Sequence, residues 1–308
     1  MGYALRTFGI SKKYKNHFAV KDASMNIREG DIYGFVGENG SGKTTVIRLI
    51  TGLIHANSGS FELFGVKNTS QSIAEARKKI GAIVESPSIY RNMSAMDNLR
   101  MQCALFGLEN ADEKSLAALR SVGLEYLKDE KKNAGDFSLG MRQRLGIAIA
   151  LIGEPRFIIL DEPMNGLDPA GIVEIRELIL KLNRENGITF LISSHILTEL
   201  SLVATKYGII SKGNIIKEIT ADELHNVCGR CTLVKAADNS ALFSTATAMY
   251  GESSVCYDRD CVKISGDIDL NGLFKRLIDS QNSILSVNCS ETSFEEYYLS
   301  LIGGINRA

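Results

Sequence analysis

No uninterrupted apolar run in this chain approaches the roughly 20 residues that a membrane-spanning helix requires. The longest stretches, such as "LGIAIALIG" from Leu145 to Gly153, are closed off by Arg144 and Glu154, so a chain that crosses a bilayer is not expected. An excess of one charge is missing as well. The 35 basic and 36 acidic side chains leave a formal charge of −1, with no long block of either sign, which argues against a nucleic-acid partner. The start, "MGYALRTFGISKKYK", lacks the apolar segment of a signal peptide, and Arg6 stands where myristoylation needs Ser or Thr. A cytoplasmic location is the expectation, and no repeat or low-complexity tract suggests otherwise.

Paired cysteines are scarce too. Six are scattered through a chain without a secretion signal, where reduced thiols are the ordinary state. "CGRC", Cys228 to Cys231, is the only close pair. A zinc site would need two more ligands and a redox pair would sit beside a βαβ pattern, yet a strand-like "TLVKA" follows, so the pair reads as inert.

What the chain does have is 44% apolar residues over 308 positions, enough for a full core and for more than one domain. From Ala4 to about Lys217, short β-branched runs alternate with helical segments, the pattern of an α/β mixed sheet with flanking helices. The strongest strands are "DIYGFVG", "KIGAIVE", "RFIILDE", "GITFLISSH" and "YGIISKGNII". Ligands of open α/β sheets lie beyond the carboxyl ends of the strands, which makes Glu85, Asp161, Glu162 and His195 candidates to face one site. Between Pro87 and Asp136 helical patches such as "SAMDNLRMQCALFG" and "KSLAALRSVGLEYL" replace strands, indicating an inserted helical subdomain over about 88–150. Beyond about Thr220 the order βαββαβ predicts a small ferredoxin-like α+β appendage over 221–308, closed by a helix at "SFEEYYLSLIG".

"GENGSGKT" fits G-x-x-x-x-G-K-[ST] with a strand before it and the helical "TVIRLITGL" after it. Gly37, Gly40 and Gly42 let the backbone curl so that its N–H groups form an anion nest, reinforced by the following helix N-terminus. Lys43 is expected to reach the β- and γ-phosphates, and Thr44 to offer a hydroxyl to Mg²⁺. The candidate nucleotide-binding segment thus comprises Gly37, Glu38, Asn39, Gly40, Ser41, Gly42, Lys43, Thr44 and Thr45. "FIILDEP" adds a buried strand that delivers Asp161 to the magnesium and Glu162 beside it, where a carboxylate can polarise an attacking water.

The stretch "GDFSLGMRQRLGIAIALIGEPRFIILDEPMNGLDPAG" resembles the signature-to-D-loop region of ABC ATPases, with "FSLGM" at the signature position and "NGLD" as the D-loop. The resemblance implies a P-loop ABC ATPase core over 1–220, binding ATP and Mg²⁺. Ser138 reads by itself as a helix N-cap; the resemblance adds a second role, contact from Ser138 and Gly140 to the γ-phosphate held by another subunit. The two readings are compatible. Leu139 and Met141 depart from the family's glycine and glutamine, and a leucine requires ordinary φ at that point. The resemblance also makes His195 a switch histidine near the γ-phosphate, Asp168 a D-loop residue reaching across the dimer, and Tyr14 the aromatic that stacks on adenine; for Tyr14 a core position is the alternative.

Glu85 stands where the family usually carries a glutamine that binds Mg²⁺ and senses a membrane partner. Glutamate keeps the acceptor oxygens and loses the amide donor. At ~4 Å and an effective dielectric of ~20 it would be repelled by one phosphate charge by about 4 kcal/mol, so it is expected to be tolerable only on the metal. "IVESPSIY" with "FSLGMRQRLGIA" is similar to the bacitracin-resistance and lantibiotic-immunity branch of ABC transporters. That similarity implies an ATPase subunit that pairs with a second, identical or different, around two ATP. It would drive a separate integral-membrane permease for export of antimicrobial peptides or drugs, and lie on the inner face of the membrane through it. A soluble ABC ATPase or a nucleotide-dependent regulator is the alternative. Long heptad insertions and a second phosphate loop are absent, and Glu162 and His195 argue for retained hydrolysis.

Overall fold

Strand-forming runs open the chain: β1 (Tyr3–Tyr14), β2 (His17–Ala23), β3 (Asn26–Arg28) and β4 (Ile32–Val36) precede the first helix, α1 (Lys43–Thr51). β5 (Ser58–Leu63), β6 (Val66–Lys67), α2 (Ile73–Arg77) and β7 (Ile80–Ile83) follow. Three helices come next, α3 (Ala95–Leu105), α4 (Ala111–Ser121) and α5 (Leu139–Leu151), before β8 (Phe157–Asp161), α6 (Pro169–Asn186), β9 (Thr189–Ser194), α7 (Leu197–Ser201), β10 (Lys206–Ser211) and β11 (Asn214–Thr220). The structure is a computed structural model that describes residues 2–266 and 268–305. It divides into two compact units, Met1–Thr220 and Ala221–Ala308.

In the first unit the six-stranded sheet runs β11-β10-β4-β9-β8-β7. All its pairs are parallel except β10 with β11. β4, β8 and β9 are buried at every position, as expected of parallel strands covered on both faces. The carboxyl ends of β4, β7, β8 and β9 therefore share one edge, and everything that follows those strands in sequence is delivered there. The single mixed sheet expected from sequence is in fact accompanied by a second, antiparallel sheet of five strands, β2-β1-β5-β6 with β3 on β1. Polar interruptions in β1, such as Arg6, Thr7 and Gly9, hide a strand whose Leu5 and Ile10 are fully buried. "YGIISKGNII" is likewise two strands. Lys212 and Gly213, at φ 48° and 82°, make the two-residue turn with both φ positive that suits a tight hairpin.

Helices replace strands between β7 and β8. Ser94 caps α3 by accepting from the Asp97 amide at 3.1 Å, and α4 stops before Gly123, at φ 69°.

The second unit begins with a helix that the sequence pattern did not suggest, α8 (Ala221–Val227), only seven residues long. It continues through β12 (Gly229–Ala236), α9 (Asn239–Tyr250), β13 (Val255–Asp258), β14 (Cys261–Ser265), α10 (Leu270–Asp279), β15 (Ile284–Thr292) and α11 (Phe294–Ile305). The order β13-β14-β12-β15, antiparallel throughout, is that of a split βαβ, ferredoxin-like sheet. Val234, Leu242, Val262, Ile264, Leu273 and Leu277 form its dry interior.

Candidate active site

The loop after β4 can be made only with glycine at its sharpest points. Gly42 has φ 113°, and a Cβ there would meet the Ala19 carbonyl oxygen at 2.5 Å; Gly40 has φ 80° and open space before it. Within this loop Ser41 Oγ is buried with no hydrogen-bond partner among the described residues, an uncommon state for a hydroxyl and one that an incoming phosphate oxygen would relieve. Lys43 opens α1 and is only 5% exposed. Its Nζ donates to the carbonyls of Gly37 at 2.6 Å and Glu38 at 3.3 Å, and lies 3.2 Å from Glu162 Oε1.

β8 brings up the carboxylates. Asp161, 2% exposed, accepts from Ser193 Oγ at 2.5 Å. Glu162 leaves the extended conformation with φ 52°, a left-handed backbone that costs a non-glycine residue on the order of 1 kcal/mol. The surroundings hold it there: its amide donates to Ser193 Oγ at 3.0 Å, and Asn165 N donates to its carbonyl at 3.1 Å. The Glu162 carboxylate then lies between Lys43 and His195, whose Nδ1 is 2.7 Å from Oε2. Residues from α1, the end of β8 and the end of β9 thus converge on one carboxylate.

Glu85, beyond β7 and also left-handed at φ 64°, stands apart from that cluster. Its carboxylate takes Arg48 Nη2 of α1 at 2.5 Å. Beside the metal expected for it, Glu85 thus also has a cation supplied by the chain itself. Tyr14 is 45% exposed at the end of β1, so the core alternative for it is dismissed. Lys12 Nζ sits 5.4 Å from its ring centroid.

Ser138 caps α5, its Oγ accepting from the Met141 amide at 3.2 Å. Leu139 starts that helix without positive φ, as its side chain demands. Around Gly140 a Cβ would find only Leu167, at 3.9 Å. Asp168 caps α6 by accepting from the Gly171 amide at 3.0 Å, with Pro169 at the first helical position. Ser138 and Asp168 thus each do a local job, and neither is hydrogen-bonded to the Lys43–Glu162–His195 cluster.

The family described as "ABC transporter" matches residues 20–165. Along 99% of both chains, this one is 38% identical to the bacitracin transport ATP-binding protein BcrA of Bacillus licheniformis. The chain belongs to the ABC transporter ATP-binding proteins. The lantibiotic transport ATP-binding protein SrtF of Streptococcus pyogenes is 40% identical over 72% of this chain and 93% of its own. Among solved structures, cbiO1 from Clostridium perfringens, part of the ABC transporter complex cbiONQ, matches with TM-score 0.67 at 28% identity, over 73% of this chain and 91% of that one. The fold is that of an ABC ATPase cassette, and the BcrA similarity continues beyond residue 220.

Three residues of this ABC ATPase escaped sequence reasoning. Arg48 reaches Glu85 across 37 positions, and Ser193 reaches Asp161 across 32. Gln143 Nε2 donates to the Pro163 carbonyl at 2.9 Å, tying α5 to the segment after Glu162. A polar residue closing an apolar run, as Ser193 does after "FLI", was the available signal.

Proposed function

We propose that this chain is an ATP-hydrolysing subunit that pairs with a second such subunit around two ATP molecules and drives a separate membrane permease, exporting peptide antibiotics. The observation that carries hydrolysis is the placing of Glu162 between Lys43 and His195. Lys43 and the amides of the loop hold the phosphates. The carboxylate of Glu162 accepts the proton of the attacking water, and His195, hydrogen-bonded to that carboxylate through Nδ1, keeps it oriented. Tyr14 offers an exposed ring face to the adenine. Ser138, Gly140 and Asp168 face the nucleotide of the opposite subunit, where the open space before Gly140 admits a phosphate.

Among the described residues no three His, Cys, Asp or Glu side chains converge as a metal cage, and only one Asp161 oxygen, Oδ1, is hydrogen-bonded within the chain. That donor set suits Mg²⁺ held largely by nucleotide oxygens, with Thr44 and Asp161, and with Glu85 if it leaves Arg48. Bound there, the ion would neutralise phosphate charge.

No helix among the described residues is long and apolar enough to cross a membrane, so a transport role calls for a partner. The names of the BcrA and SrtF relatives support antibiotic peptides as the cargo. The test is expression with a candidate membrane permease, with survival measured under bacitracin and a lantibiotic. Glu162→Gln should bind ATP, lose turnover by about 10²- to 10⁴-fold, accumulate an ATP-dependent dimer that Ser138→Arg abolishes, and confer no protection. Equal protection by Glu162→Gln would sink the transport reading, and an ATP-independent dimer the sandwich.

A further inference from the structure

Ser193 lies within β9, a strand buried at all six positions, and is itself 0% exposed. A hydroxyl in such a place is costly unless its donor and acceptor capacities are used. Here both are. Oγ donates to Asp161 Oδ1 at 2.5 Å and accepts from the Glu162 amide at 3.0 Å. The parallel register pairs Asp161 with Ser193, so the contact follows from how β8 and β9 lie side by side. The Glu162 amide also reaches the Ser193 carbonyl, at 3.1 Å. One residue therefore grips two consecutive residues of the site, one by its side chain and the other by its backbone.

That grip answers a geometric problem. In an extended strand, consecutive side chains point to opposite faces, yet both carboxylates are needed at the same strand ends. The chain must leave the extended conformation at Glu162, and it does so with φ 52°. Such a backbone persists only when neighbours over-determine it, and the shared amide bond to Ser193 is one such restraint.

We infer that Ser193 is a positioning residue for hydrolysis, its single hydroxyl orienting the Asp161 carboxylate and fixing the Glu162 backbone turn that aims the base. The inference rests on Glu162 acting as the base. Ser193→Ala removes both bonds and leaves the phosphate loop untouched. In the full-length protein with ATP and Mg²⁺, its kcat should fall about 10- to 100-fold, the size expected from losing one to two hydrogen bonds that orient reacting groups. KM for ATP and ATP affinity should stay within about twofold in the same comparison. Ser193→Thr keeps the hydroxyl and should recover most of the lost kcat.

An unchanged kcat in Ser193→Ala, or a loss that Ser193→Thr shares in full, overturns the inference. Should Ser193→Ala fail to fold, Ser193→Cys, with a weaker donor, must still show reduced kcat at retained ATP affinity; normal turnover there overturns it equally. Glu162→Gln measured alongside separates the two ideas. If Glu162→Gln hydrolyses normally, the base assignment has failed; if it is inactive while Ser193→Ala is normal, only the positioning role has.

Discussion

The six-stranded sheet of the first unit and the four-stranded sheet of the second are used in opposite ways. In residues 1–220, five parallel strands point their carboxyl ends to one edge, and a lysine, two carboxylates, a serine and a histidine meet there. In residues 221–308 the four strands alternate in direction, so the residues that follow them are sent to both ends. Its ion pair Lys235–Asp260 is an exposed one that joins β12 to the turn between β13 and β14. Direction of strands, more than composition, decides whether polar residues accumulate into chemistry or disperse over a surface.

The comparison breaks most visibly at the two lysines. Lys43→Ala should abolish ATP binding, measured by equilibrium titration, because it removes the buried cation of the phosphate loop; Lys235→Ala should leave binding and melting temperature unchanged. If Lys235→Ala weakened ATP binding, the second unit would have to be counted as part of the nucleotide site.

A smaller effect tests whether the units are separate in stability as they are in structure. Leu160 in β8 and Leu273 in α10 are both 0% exposed. Replacing either with alanine should cost about 2–5 kcal/mol within its own unit. Leu160→Ala should lower the unfolding midpoint monitored through ATP turnover, whereas Leu273→Ala should leave that midpoint in place and shift only a probe in the second unit. A shared midpoint shift would mean that the units unfold as one.

The smallest effect belongs to Glu85. Its pair with Arg48 is largely exposed, Glu85 at 61% and Arg48 at 37%, and such pairs contribute roughly 0–1 kcal/mol. Glu85→Gln should therefore scarcely change stability or ATP affinity, and should alter the stimulation of hydrolysis by the permease. A large loss of ATP affinity would support Glu85 as a metal ligand.

How much of this could be seen beforehand depended on the distance over which each feature is encoded. The phosphate loop was legible because its glycines, Lys43 and Thr44 lie within nine positions whose spacing carries the geometry. Asp161 and Glu162 announced themselves at the end of an apolar run. Ser193 and Arg48 did not, since each acquires its role from a partner more than 30 positions away, through strand register or helix placement. β1 was obscured because polar residues and a glycine interrupt its apolar ones on both faces, and α8 because a seven-residue helix has too few turns to display a period. The turn at Lys212 was missed because only the glycine after it is a usual occupant of positive φ.

With Lys43 holding phosphate as proposed, its ion pair with Glu162 would make nucleotide binding an exchange of counter-ions. The buried Lys43 ammonium is paired with the Glu162 carboxylate, the group proposed above to act on water. Charges 3.2 Å apart attract by roughly 5 kcal/mol at an effective dielectric of about 20, so an arriving phosphate gains only the difference between its own attraction and the one it displaces. On the proposed mechanism, affinity is thereby moderated, and the Glu162 carboxylate becomes free to serve as a base once a phosphate has taken its place.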